Sequence, residues 1–298
     1  MKFGIDTIKP AATNRSVRIV VYGPSGAGKT YFAAGAPSPV FITAEDGLGA
    51  LGADAFPAPE RFTDVLEMLE TLASQQHKYK TIVVDSLDWL EPLVHAHVCA
   101  EAGVSSLEDV AYGKLYAKIP TEWRKFLTGL EKLQRTKGMN VVLIAHQHVR
   151  TFANPLGTDY DRYDLKLLDS KAAKISDLIK EWSDIVGYAT TEDVIKDADG
   201  KAKATTTGSR VLHVSPSPAR SAKTRYSLPD KLPLAWSALE AAVEASRPLS
   251  AADCRRQIEE RAGKLKAVDK TELEKYLSSA GDDVVRLNKT LNWVKGRT

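Results

Sequence analysis

A chain of 298 residues with 43% apolar side chains can bury one large core or two modest ones. Its 41 basic and 38 acidic side chains leave a net charge of +3, too small for a global field toward nucleic acid or an anionic membrane, so any such contact has to be local. Two cysteines, Cys99 and Cys254, offer no disulfide framework, "MKFGIDTIKP" has no apolar signal core, and no stretch approaches the roughly 18 apolar residues needed to span a bilayer; a cytoplasmic protein is expected.

Residues 1–15 read as a short arm before the first strong strand, "RSVRIVVYG". A glycine-rich turn and a short helix follow, stopped near Gly35 and Pro37. Next comes "PVFITAEDG", a β-branched and aromatic strand ending in acids. "RFTDVLEMLETLASQ" has apolar residues at helical spacing, and "YKTIVVDSLDWL" is the unbroken apolar run of a parallel strand buried on both faces. From Thr121 a second amphipathic helix runs to Gly138, followed by the buried strand "NVVLIAHQH". Strands alternating with helices predict an α/β fold with a mostly parallel central sheet.

Beyond residue 148 the pattern changes. A polar loop leads to a helix over 171–182, then "SDIVGYATTEDVI", a turn at Asp199-Gly200 and "SRVLHVSPS" form an antiparallel hairpin at the sheet edge. "RPLSAADC" breaks the chain. The last fifty residues read as two or three short helices, with Ser250 and Asp253 spaced as a capping start. The domains expected are the arm, a core over 16–246 and a helical extension over 247–298.

Gly23, Gly28, Lys29 and Thr30 satisfy G-x-x-x-x-G-K-[ST], between a buried strand and a helix. The turn "GPSGAGKT", with Pro24, Ser25, Gly26 and Ala27 inside it, needs glycines so that backbone N–H groups can face a phosphate. Lys29 then reaches the β- and γ-phosphates and the Thr30 hydroxyl takes one place on Mg²⁺. The competing reading is an ordinary glycine-rich turn. Asp85, at the end of "TIVVD", stands where an open α/β sheet binds ligands and is assigned to Mg²⁺; a capping aspartate is the alternative. Glu45, Asp46 and Asp88 are the acids available to activate water.

In this order after "GPSGAGKT", the segments "VFITAEDGLGAL", "TIVVDSLDWLEP" and "VVLIAHQHVR" resemble the successive core strands of the RecA family of recombinases. The resemblance makes Glu45 the water-activating residue and Asp46 its solvated neighbour. It also implies ATP, since no guanine-reading N-K-x-D occurs. Gln147 aligns with the family's γ-phosphate switch, with His146 as the alternative. The segment after it becomes the loop that touches single-stranded DNA, through Arg150, Phe152, Arg162, Lys166 and Lys171; an ordinary solvated loop is the competing reading. A second contact loop would carry Tyr112, Lys114 and Tyr116. In "SAKTRYSLP", Lys223 and Arg225 are spaced like the family's pair that reaches a neighbouring subunit's γ-phosphate, which implies a homo-oligomer; a basic turn is the alternative.

"AYGKLY", "LIAHQ" and "AKTRYSLP" are similar to short, phage-type members of that family that act in single-strand annealing. The function implied is an ATP-dependent, single-stranded DNA-binding protein assisting annealing or recombination with a single-strand-binding protein as helper. The short arm, where full-length recombinases carry an oligomerisation domain, argues against a strand-exchanging filament. The same core would also suit a hexameric helicase or a nucleotide-switched adaptor. The "HAHVC" run is set aside as a zinc motif: His95 and His97 point about 200° apart on a helix, and His95 with Cys99 makes only two ligands.

Overall fold

The computed structural model describes residues 4, 16–43, 48, 51–198, 201–247, 249 and 251–297, with 193–198 and 201–207 as backbone alone. Glu45, Asp46, the Asp199-Gly200 turn, Ser250 and the arm apart from Gly4 lie outside the described residues. The chain divides into two compact units, 1–246 and 247–298.

The first unit runs β1 (Arg18–Gly23), α1 (Lys29–Ala34), β2 (Pro39–Thr43), β3 (Asp54–Ala55), α2 (Phe62–Ser74), β4 (Thr81–Asp85), α3 (Leu87–Ala102), α4 (Ile119–Lys137), β5 (Asn140–Phe152), β6 (Tyr160–Leu165), α5 (Ile175–Trp182), β7 (Ile185–Ala198), β8 (Lys201–His213), β9 (Lys223–Thr224), β10 (Lys231–Pro233) and α6 (Trp236–Ser246). The strands lie in the order β10-β8-β7-β1-β5-β4-β2-β3, with β6 on β5 and β9 on β7. Pairing is parallel from β7 through β1, β5, β4 and β2 to β3, and antiparallel from β7 to β8 and β10. The α/β fold expected from the sequence, a mostly parallel sheet with an antiparallel edge, is the one observed.

Alternation along the strands sorts their side chains between two cores. Val20, Tyr22, Ile82, Val84, Val141 and Leu143 meet the helices of one face, where α2 supplies Phe62 and Leu69 and α4 supplies Trp123 and Phe126. Ile19, Val21, Phe41, Val83 and Ile144 pack on Phe32 of α1 and Trp236 of α6. Every residue of β1 and β4 is buried, which is why both read as continuous runs. Helix α4 ends where expected, at Gly138 in the left-handed conformation with φ 66°, its N–H returned to the Gln134 carbonyl.

Two expectations change. The polar stretch after residue 148 is not a loop at its ends: β5 continues to Phe152 and pairs antiparallel with β6, from Gln147 opposite Leu165 to Phe152 opposite Tyr160. The helix expected over 171–182 begins only at Ile175, because Asp169 and Lys174 first form a bridge.

The second unit holds α7 (Ala251–Ala262), α8 (Ala267–Ala280) and α9 (Val284–Lys295) around Cys254, Ile258, Leu273, Leu287, Leu291 and Val294. Asp283 caps α9, its carboxylate accepting from the N–H groups of Val285 and Arg286 at 2.9 and 3.1 Å. Among the described residues no helix is long and apolar enough to cross a membrane.

Candidate functional site

The glycine turn leaves the carboxyl end of β1, and two of its glycines are needed for different reasons. A Cβ on Gly23 would lie 2.0 Å from the Ala189 carbonyl oxygen, so the neighbouring strand β7 approaches closer than any side chain permits. Gly28 has φ 99°, in the left-handed region that favours glycine. Lys29, only 6% exposed, is folded into the turn: its Nζ donates to the carbonyls of Gly23 at 3.1 Å and Pro24 at 2.9 Å.

β1 and β4 are separated by β5, so their ends stand two strand spacings apart, about 10 Å. Across that gap the Thr30 hydroxyl donates to Asp85 Oδ2 at 2.7 Å. Parallel register brings Gly23 opposite His146, and Asp85 opposite both Thr43 and Ile144. The strand ends frame a cavity of about 390 Å³ lined by Lys29, Thr30, Tyr31, Asp85, His146 and Arg210. These residues fit a magnesium polyphosphate: two cations suit the phosphates, and a hydroxyl hydrogen-bonded to a carboxylate is a hard-oxygen donor pair for the ion. Glu45 follows the end of β2 by two residues but lies outside the described residues.

The structure differs from the sequence reading over the switch residue. Adjacent residues of a strand face opposite ways, and the register turns His146 to the cavity while Gln147 accepts from the Tyr188 hydroxyl at 2.8 Å. Asp88 of α3 anchors His146, accepting from its N–H at 2.9 Å and pairing with Nδ1 at 2.8 Å. Burial works to raise the Asp88 carboxyl, but these bonds outweigh it and hold it below its ordinary value.

One turn along α3, Glu91 accepts the Leu168 N–H through both oxygens, at 2.8 and 3.1 Å. Burial pushes its carboxyl up to about 7, against that amide, and the Asp88 charge adds to the rise. A folded-state value above the ordinary 4.5 means that ionisation opposes folding, so stability falls as pH rises from about 4.5 through about 7 and then levels. Glu91→Gln keeps an acceptor for Leu168 and removes the charge. Relative to the wild type it should gain stability across that window, by on the order of 2 kcal/mol at pH 8. Thermal melts of both proteins at pH 5 and pH 8 check this; an offset equal at the two pH values overturns it.

The residues assigned to DNA are unequal. Arg150 is paired with Asp169 and lies 3.2 Å from His148 Nε2. The Arg162 guanidinium lies over the Phe152 ring at 4.5 Å, on the hairpin face that also carries Tyr160. Lys166 and Lys171 are exposed, and Leu156 at the hairpin tip is 95% exposed. In the other segment Tyr112 is 98% exposed, while the Tyr116 hydroxyl donates to Glu108 at 2.6 Å.

Lys223 and Arg225, expected to act on a neighbouring subunit, are engaged within their own chain. Lys223 Nζ donates to the carbonyls of Lys180, Glu181 and Ser183 at the end of α5, at 2.9, 3.0 and 3.0 Å. Arg225 binds Asp184 and the Glu181 carbonyl, both at 3.0 Å. Lys223 pairs with Val186, itself opposite Val20 of β1, three residues or roughly 10 Å back along the strand from Gly23.

Tyr31, Leu51 and Arg210 line the cavity and were not identified by the sequence. Tyr31 follows the motif directly and its place on the first turn of α1 was available to be read. No local pattern marks Arg210, which β7–β8 pairing delivers from far along the chain, opposite Thr191.

A family model described as an AAA domain matches residues 15–226. No curated protein matches the chain. Among solved structures, the crystal structure of the RadB recombinase is similar at 16% identity and a TM-score of 0.38, over 67% of this chain and 80% of that one.

Proposed function

This chain belongs to the AAA domain family, and from that premise we propose that it is a RecA-like, magnesium-dependent ATPase that binds single-stranded DNA and assists annealing or homologous recombination. Lys29 and the glycine turn hold the phosphates, Thr30 and Asp85 hold the ion, and Glu45 activates water. ATP-bound chains associate on the strand, with a single-strand-binding protein as helper, in the cytoplasm of a host cell if the chain is phage-encoded.

One observation carries the reading: a single strand, β5, contributes His146 to the cavity and then runs on through Arg150 and Phe152 into the exposed hairpin. A change at the cavity can therefore move the hairpin without an intermediate element. The exposed Lys166 follows directly on β6, its N–H bonded to the His146 carbonyl at 2.9 Å. Arg162 with the Phe152 and Tyr160 rings on one projection, and Lys166 at its base, suit a flexible polyanion with stackable bases.

Fluorescence anisotropy of labelled oligonucleotides with and without ATP tests the DNA half, and phosphate release with and without DNA tests the coupling. DNA should bind more tightly with ATP and stimulate hydrolysis. Glu45→Gln should still bind ATP while hydrolysing it about 10²–10⁴-fold more slowly. Absence of oligonucleotide binding in every nucleotide state would remove DNA from the reading, and turnover indifferent to DNA would favour the nucleotide-switched adaptor.

A further inference from the structure

The phosphate turn has a second cation beside it. A Cβ on Gly28 would lie 2.7 Å from Arg210 Nη1 and 3.1 Å from its Cδ, so the arginine side chain lies along the turn. The backbone beneath it is fixed from both sides: Arg210 pairs with Thr191 of β7, and its carbonyl accepts the Leu234 N–H at 3.0 Å. Its side chain is exposed and has no hydrogen-bond or ion-pair partner among the described residues, although Asp85, bound by Thr30, lines the same cavity. A guanidinium without a protein partner among the described residues, lying beside a glycine turn on a backbone fixed from both sides, is a ready bidentate site for phosphate oxygens.

Strand order sets the direction of approach. Asp85 on β4 lies two strands from β1 on one flank, and Arg210 on β8 lies two strands away on the other. An anionic chain on the turn would therefore meet the metal-binding oxygens on one side and the guanidinium on the other. Meanwhile the two basic residues a neighbour was expected to lend are occupied by three carbonyls and by Asp184. We infer that Arg210 is a phosphate ligand supplied in cis, so that the second cation of each site comes from the same chain as its Lys29. The inference rests on the nucleotide reading above.

Two measurements test it. Titration with a fluorescent non-hydrolysable ATP analogue should show Arg210→Ala binding about 10- to 100-fold more weakly than the wild type, with Arg210→Lys recovering part of the loss and the melting temperature unchanged. Mixing Arg210→Ala with Lys29→Ala then separates cis from trans. If Arg210 serves its own site, every site in the mixture lacks one cation and hydrolysis stays at the sum of the two variants alone. If it serves a neighbour, an Arg210→Ala chain beside a Lys29→Ala chain has a complete site and activity returns. Rescue on mixing, or unchanged analogue affinity in Arg210→Ala beside a wild type that binds, overturns this inference alone. A wild type that binds no analogue overturns the nucleotide reading and this inference with it.

Discussion

Lys29→Ala should lower ATP hydrolysis about 10²–10³-fold while leaving the fold intact. The ammonium is not a flexible surface charge that finds its ligand by search: at 6% exposure, with Nζ tied to the Gly23 and Pro24 carbonyls, it already stands inside the turn. Little conformational entropy is lost when it meets a phosphate, and little solvent screens the contact, so its loss costs more than that of an exposed lysine. Alanine at this first position of α1 preserves helix propensity. The two carbonyls lose their donor, a cost of about 1–2 kcal/mol, so the melt shifts modestly. Steady-state phosphate release together with a thermal melt decides the matter. Activity within threefold of wild type would remove Lys29 from the phosphate site.

What the sequence disclosed and what it withheld separate along physical lines. β1 and β4 were legible because a parallel strand covered on both faces is apolar along nearly all its length: "IVVY" follows Arg18 in β1, and "IVV" stands between Thr81 and Asp85 in β4. The Thr30–Asp85 contact was legible because each residue carries its own local sign, a motif on one and a strand end on the other. The hairpin β5–β6 was not. Its partners Arg150–Arg162 and Thr151–Asp161 are polar on both sides of the ribbon, so the alternation that marks a half-buried strand is missing. The choice between His146 and Gln147 depends on register to Gly23, which only the folded sheet fixes. Arg210 lies beyond any local reading, since its distance to Gly28 is set by how β8 folds back on β7.

Lys223 and Arg225 show a different limit. Their spacing matches a recognisable pattern, yet the same two cations also suit the end of α5 and a buried aspartate, and the chain uses them there. A spacing names residue types; burial of Asp184 decides who meets them.

That aspartate should be costly to remove. Asp184→Ala is expected to destabilise the fold by about 3–5 kcal/mol, read as a lower urea midpoint at constant slope. Asp184 is 2% exposed and Arg18 7%. One carboxylate oxygen accepts from the Arg18 N–H at 3.0 Å and from Nε at 3.3 Å, and the other from Nη2 at 2.9 Å and from Arg225 at 3.0 Å. Without it, Arg18 keeps Glu131 at 3.4 Å and the face of Trp182 at 4.8 Å, neither sufficient to replace the lost charge-assisted bonds. Removing the orphaned charge as well, with Arg18→Met in the same chain, should restore part of the loss. A change under about 1 kcal/mol in Asp184→Ala would mean that Glu131 and water serve Arg18 well enough. The pair lies at the amino ends of β1 and β7, the far end of the sheet from the glycine turn. The destabilised protein should therefore keep its ATP affinity while folded. For the same reason, Arg225 could reach a neighbouring subunit only by giving up part of this buried network, so the contact it gained would have to exceed what Asp184 now provides.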